Sequence, residues 1–434
     1  MSAKAATKPL ASLNELSALE ITAAIGSGRT TCEAVARACL ERIAAREPRV
    51  LAWEYLDPDQ VIAQARALDR GGRRGPLFGV PFGVKDIIDT CDMPTGYGSP
   101  IYAGHQPRRD AACVALSRKA GGVVMGKTVT AEFAVNFPGK TRLPHDASRT
   151  PGGSSSGSAA AVADGMVPLA IATQTTGSTI KPGSFCGVFA FRPTFGEIRC
   201  SGIMESSGSC DAVGLYARTV EDIALHRDVL VGADPEPVAE LTGPPRIGFC
   251  RTPQWPRLAP STQRLLEDAA QRLARAGARV GDAVLPAEFD GAEDAHRMIS
   301  CREFAHNFTR EIEHHWEELS ADLRNGKIRT GLDCSYARYR DAQELARRGR
   351  AGLARVFADF DVLLAPAVIG EAPVGMNTGD SSLASSWTLM HVPVMSIPVF
   401  TGPNGLPVGA QVIAASGDDR KLFSAARWLY RHLT

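Results

Sequence analysis

The sequence predicts an α/β fold in which helices cover a largely buried sheet. Short apolar runs of strand length recur between stretches whose apolar residues follow helical spacing. In addition, 44% of the 434 residues are hydrophobic, against 22% charged and 6% aromatic, so the chain can bury a large core and is not disordered. Through the first 45 residues, apolar and polar positions alternate at helical spacing. Gly26 and Gly28 interrupt the pattern, and Thr31 is placed to cap a second helix that runs to about Arg46. Apolar runs follow at residues 78–84, 110–120 and 123–125, then at 246–249, 361–365 and 408–413. Residues 235–245 read as a loop between an amino-terminal half and a more helical second half, about 246–434. There is no repeat of fixed period.

Charge and cysteine usage narrow the partners. Lysine and arginine number 48 against 47 acidic residues, a net charge of +1, which supplies no broad basic field for phosphate binding, so no nucleic-acid partner is expected. The ten cysteines form no CxxC pair and have no histidine at zinc-finger spacing. They read as reduced thiols of a cytoplasmic protein. The amino terminus carries no apolar run of signal-peptide length, and no stretch of about 18 apolar residues occurs, so no membrane association is expected.

Residues 121–128, Gly-Gly-Val-Val-Met-Gly-Lys-Thr, fit the phosphate-loop pattern and raise a nucleotide-binding alternative through Lys127. A phosphate loop must follow a strand and open a helix, whereas here 123–125 is itself the strand-like run. The densest segment is Gly-Gly-Ser-Ser-Ser-Gly-Ser at 152–158, followed after an apolar stretch by Thr173-Gln174-Thr175-Thr176-Gly177-Ser178. Composition alone suggests a flexible linker. The flanking runs 159–163 and 167–171 suit a buried helix and a buried strand instead, which sets the glycines at a helix amino terminus inside a packed domain. Free N–H groups there, and in the turn 176–178, are the donors an oxyanion hole requires.

A serine nucleophile needs a base. None of the nine histidines is well placed: His314 and His315 fall on a Glu-rich helical face and His432 at the terminus. A buried lysine can serve if its pKa falls towards neutrality. Lys85, at the end of the apolar strand-like run 78–84, meets that condition.

The segments Gly83-Val-Lys85-Asp86, 152–161 and 175–187, with Phe191-Arg-Pro-Thr194, resemble the amidase signature family. The likeness spans most of the chain, with a dense core at about 79–194. It implies one α/β/α domain over residues 1–434, with a large mixed twisted sheet flanked by helices. It also implies a Ser-cisSer-Lys arrangement: Lys85 as base, Ser154 after a cis peptide bond as relay, and Ser178, 24 positions further on, as nucleophile. Backbone N–H groups of Thr175, Thr176, Gly177 and Ser178 are the implied oxyanion donors, with Thr173 in support. The scheme needs no metal or organic cofactor. Within the family, residues 83–95, 98–99, 101–102, 106–108, 148–162, 387–390 and 411–414 look like the compact bacterial malonamidases. That likeness implies a homodimeric hydrolase releasing ammonia from a small polar amide such as a malonamate-like acid. Two positions depart from the pattern: Thr176 replaces a glycine, and Lys181 stands where malonamidases carry an arginine associated with the substrate carboxylate. Lysine keeps the charge and loses the bidentate fork. The Lys181 charge is also expected to help depress the pKa of Lys85. The alternative within the family is the amidase subunit of a tRNA-dependent amidotransferase.

Overall fold

The computed structural model describes residues 12–71 and 75–434. Two helices open this part of the chain, Ala18–Gly26 (α1) and Cys32–Val50 (α2). Ser17 and Glu20 form a reciprocal capping box on α1, and the Thr31 hydroxyl accepts from Ala34 N on α2 (3.1 Å). The second helix runs past Arg46 to Val50 with Pro48 in its last turn. The Glu47 carboxylate then accepts from Ala52 N and Trp53 N, both at 2.9 Å, as the chain leaves the helix.

Among the described residues, eleven strands build one mixed sheet: Trp53–Leu56 (β1), Pro81–Lys85 (β2), Val123–Thr128 (β3), Leu169–Gln174 (β4), Phe189–Arg192 (β5), Ala212–Ala217 (β6), Arg246–Phe249 (β7), Arg279–Asp282 (β8), Val362–Pro366 (β9), Val394–Thr401 (β10) and Pro407–Ile413 (β11). Their order is β1-β3-β2-β4-β6-β5-β10-β11-β9-β7-β8, so strands from both halves of the sequence meet where β5 pairs with β10. Pairs β2/β3, β2/β4, β7/β8 and β7/β9 are parallel and the rest antiparallel. Strands β2 to β6 and β9 are buried at every position, the pattern of strands covered on both faces. Residues 110–120 carry their apolar side chains at helical spacing and form the helix Ala112–Lys119. Residues 232–245 join the helix Val220–Val231 to β7 without regular structure.

The sheet brings two parallel strand ends together. Strands β2 and β4 are neighbours, with Val84 beside Ile171, so their carboxyl ends open onto one crevice, where ligands of open α/β sheets bind. The helix Ser156–Ala163 closes this region from one side. Its first turn is seated against the chain by Gly157, whose N–H donates to Val129 O (3.0 Å). A methyl group on Gly157 would sit 2.2 Å from Ala52 O and 2.4 Å from Val129 N. Both atoms are backbone and cannot step aside. Gly157→Ala is therefore expected to lose about 3 kcal/mol or more, against the gain in helix propensity that alanine ordinarily brings. Chemical denaturation at neutral pH measures it.

Candidate active site

Lys85 ends β2 with its amine fully buried, because the strands beside it and the segment before Ser156–Ala163 exclude water. Lys85 Nζ donates to Ser154 Oγ (2.7 Å) and to Thr173 Oγ1 (2.8 Å). Burial pulls its pKa down to about 7, and the Asp211 carboxylate opposes that pull. The expected help from Lys181 is absent: loss of water does the work, and Lys181 is itself lowered to about 7 by burial. A neutral amine offers a lone pair, so the 2.7 Å contact can run the other way, with the Ser154 hydroxyl donating to Lys85. The Gly153–Ser154 peptide bond is cis.

The two glycine-containing segments differ in their N–H groups. In the first, Gly152 N donates to Thr150 Oγ1, Gly153 N to Thr378 O, Ser155 N to Ser178 O and Gly157 N to Val129 O. These four donors are committed, so this segment has fewer N–H groups to offer an oxyanion than the sequence suggests. In the second, the N–H groups of Thr175, Thr176, Gly177 and Ser178 have no acceptor among the described residues. The turn is held by its other atoms. Thr175 Oγ1 donates to Asp211 Oδ1 (2.5 Å), and Thr175 O accepts from His296 Nε2 (2.8 Å). Thr176 O accepts from Thr388 Oγ1 (2.8 Å). The Gln174 side-chain Oε1 accepts from Thr179 N and Ile180 N, at the start of the helix Ile180–Cys186. Thr176, in the place of a glycine, is accommodated within this turn.

Ser178 is 8% exposed and lines a cavity of about 530 Å³ with Gly153, Thr175, Thr176 and Lys181. Its hydroxyl has no hydrogen-bond partner among the described residues, so it is free for a ligand. The lining also includes Arg257, Glu293, His296, Arg297, Lys327 and Asp380. Arg257 is paired with Asp380 (2.6 Å) and Arg297 with Asp294 (3.0 Å), whereas Lys327 has no carboxylate partner among the described residues. Lys181 lies beside Ser178 with its ammonium spent on Gly379 O and Ser381 Oγ, both at 2.8 Å.

Sequence reasoning expects Lys85, Ser154, Thr173, Ser178, Lys181 and the turn 175–178 in one place. The structure joins Lys85 to Ser154 and Thr173 by hydrogen bonds, sets Thr175, Thr176, Ser178 and Lys181 on one cavity with Gly153, and records no hydrogen bond between the Ser154 and Ser178 hydroxyls among the described residues. Sequence reasoning missed Asp211, His296 and Thr388, which reach the turn from distant positions. His296 sits on the buried side of the helix Ala292–Asn307, and burial lowers its pKa to about 4, so it stays neutral as an N–H donor. Asp211 had a local signal, a lone carboxylate between Cys210 and the apolar strand β6. His314 and His432 are exposed, as expected. Lys127 belongs to β3 and is buried against Asp86 (3.2 Å), donating to Ile88 O and Thr95 Oγ1. Residues 123–128 are strand, so their N–H groups cannot cradle phosphates.

A buried amine in contact with a serine hydroxyl, beside an unpaired serine and a turn of free N–H groups, defines a hydrolase built for acyl transfer on an α/β sheet. The chain matches the Amidase family over residues 34–423 and belongs to it. It is a hydrolase of C–N amide bonds. Among curated proteins it is 34% identical to a subunit of glutamyl-tRNA(Gln) amidotransferase from Acidothermus cellulolyticus, over 96% of this chain and 95% of that one. Among solved structures it resembles the peptide amidase of Stenotrophomonas maltophilia, with 30% identity, a TM-score of 0.82, and 96% and 97% of the two chains covered. It also resembles a vestigial complex described as revealing the origins of an s-triazine catabolic enzyme, with 29% identity, a TM-score of 0.88, and 96% and 98% coverage. The malonamidase likeness has no counterpart among these relatives. Among the described residues no helix is long and apolar enough to cross a membrane.

Proposed function

We propose that the protein hydrolyses a small polar amide through an acyl-enzyme on Ser178. The observation that carries this is the buried Lys85 amine 2.7 Å from Ser154 Oγ, with unpaired N–H groups around Ser178. Neutral Lys85 takes a proton from Ser154, Ser154 takes one from Ser178, and Ser178 Oγ attacks the amide carbonyl carbon. The N–H groups of residues 175–178 hold the oxyanion. The proton returns through Ser154 to the departing amine, ammonia leaves, and water repeats the cycle on the ester. The scheme uses neither metal nor organic cofactor. The same reading has a homodimer in the cytoplasm, where its ten unpaired thiols stay reduced.

A second reading is favoured by the curated relatives. The match to the amidotransferase polypeptide covers nearly the whole of both chains, which supports a catalytic subunit that passes its ammonia to an acceptor on a partner, with tRNA in the assembly. On that reading the expectation of no nucleic-acid partner fails, even though the chain's own charge is near neutral. Ammonia release by the purified chain, assayed on malonamate, malonamide, aliphatic and aryl amides and biuret-like compounds, separates the two. Turnover of a small amide by the chain alone supports the hydrolase. Silence on all of them, with activity restored by misacylated tRNA together with a co-purifying partner protein, supports the amidotransferase.

Within the first reading, Lys327 is the cation left unpaired in the cavity, among the described residues, to favour an acidic amide, and Lys181, already bonded to Gly379 O and Ser381 Oγ, is the second candidate. Lys181→Met and Lys327→Met are compared with wild type on malonamate and on a neutral amide. Loss of a charged anchor is expected to remove about 2 to 5 kcal/mol from kcat/KM for the acid and little for the neutral amide. An equal loss on both substrates at Lys181 would make it a tether of the 379–381 loop and not a reader of substrate.

A further inference from the structure

The turn 175–178 is gripped by side chains from three distant elements, and Asp211 is the one carboxylate hydrogen-bonded to it among the described residues. Asp211 stands just before β6, which pairs with β4 along its full length, so its position is fixed by the sheet that also carries Thr173. Its Oδ1 accepts from Thr175 Oγ1 (2.5 Å) and its Oδ2 from Ser206 N (2.7 Å) and Ser207 N (3.0 Å). Burial raises the pKa of Asp211, and the donors on both its oxygens, Thr175 Oγ1, Ser206 N and Ser207 N, oppose that rise and favour the ionised carboxylate.

We propose that Asp211 is a positioning residue for acyl transfer at Ser178: by holding the Thr175 hydroxyl it fixes the turn so that its unpaired N–H groups converge where the oxyanion forms. The inference rests on the Ser178 reading above. Backbone donors stabilise a developing charge only when they are aimed in advance, and reorganising them during the reaction would spend what they contribute. His296 and Thr388 hold the carbonyls of Thr175 and Thr176, and the Asp211–Thr175 bond holds the Thr175 side chain, so the turn is fixed at three points.

The carboxylate has a second effect. It favours the ammonium form of Lys85 and so sets how far burial lowers that lysine. The titratable and charged groups around Asp211 are Lys85, Lys327, Arg192 and the thiols of Cys200 and Cys210. The other groups on Lys85, Ser154 and Thr173, are uncharged.

The test uses the full chain and the best amide from the screen, with Ser178→Ala measured in parallel. Thr175→Val is expected to lower kcat about 10- to 100-fold with KM little changed, because a preorganised donor set acts mainly in the transition state. Thr175→Ser, which keeps the hydroxyl, is expected to restore most of it. Asp211→Asn is expected to lower kcat as well and to move the acid limb of the pH–rate profile to lower pH, since removing the negative charge makes the Lys85 ammonium easier to deprotonate. A purely structural Asp211 would lower activity without moving that limb. Wild-type kcat in Thr175→Val, equal impairment of Thr175→Ser and Thr175→Val, or an unmoved limb in Asp211→Asn would overturn the proposal. Should Asp211→Asn fail to fold, the Thr175 pair decides. Full activity in Ser178→Ala would instead sink the nucleophile assignment, so the two failures are distinguishable.

Discussion

Turnover by Lys85→Ala is expected to fall by about 10⁴-fold or more at neutral pH, because a base and nucleophile that act as one unit are each nearly indispensable. Lys85→Arg is expected to be no better, since a guanidinium stays protonated and offers no lone pair to Ser154. The pH dependence follows from the sign of the shift. Burial lowers Lys85 from 10.5 to about 7, so the competent neutral amine grows as the pH rises through 7, and kcat/KM climbs about tenfold per unit below that point before levelling. The same shift costs stability. The unfolded chain keeps the proton up to 10.5 while the folded chain releases it near 7, so the cost is nil above 10.5, grows as the pH falls, and is complete below 7. Lys85→Met is therefore expected to be inactive, yet to gain in melting temperature over wild type as the pH falls towards 7. An arginine variant with near-normal turnover, or a flat pH profile, would show that Lys85 is a structural charge.

Ser178→Ala is expected to lose a comparable factor, about 10⁴-fold or more, with almost no change in stability. The structure separates these two consequences. Ser178 Oγ makes no hydrogen bond among the described residues, and the residue that caps the following helix, Thr179, makes no side-chain cap bond, so removing the Ser178 hydroxyl leaves nothing unsatisfied. A serine acting as a helix cap would instead cost about 1 kcal/mol of stability with activity kept. An electrophilic phosphonate should label the wild-type chain once, on the peptide carrying Ser178, and should leave the alanine variant unlabelled. A label on another peptide, or full labelling of Ser178→Ala, refutes the nucleophile.

Much of this site was legible in the chain because its chemistry is carried by consecutive residues. The apolar run before Lys85 fixed it at a strand end, and the apolar runs on either side of 152–158 told a helix start from a linker. The segments around Lys85, 152–161 and 175–187 carried the likeness to a family, although the finer likeness to malonamidases found no support among the relatives. Local pattern also disposed of the phosphate-loop reading, since an apolar run at 123–125 cannot be both a strand and a loop.

What the sequence could not show is which donors are free. The segments 152–158 and 175–178 look equally suited to hold an oxyanion, and only the folded chain spends the Gly152, Gly153, Ser155 and Gly157 N–H groups on Thr150, Thr378, Ser178 and Val129 while leaving the four of 175–178 unpaired. Lys181 reads as a charge near the pocket, and the fold commits its ammonium to Gly379 and Ser381 and dries it until its pKa falls. Asp211, His296 and Thr388 lie 36, 121 and 212 positions from the turn atoms they hold. Residue type and local spacing alone therefore determined the α/β layering and the candidate serines and lysine, because hydrophobic periodicity and nucleophile–base composition are local properties, and the resemblance carried by those segments supplied the hydrolase chemistry. Hydrogen-bond satisfaction and desolvation belong to the packed whole, so the unpaired N–H groups of the turn, the lowered pKa of the buried amine and the unpaired Lys327 were decided by the tertiary structure.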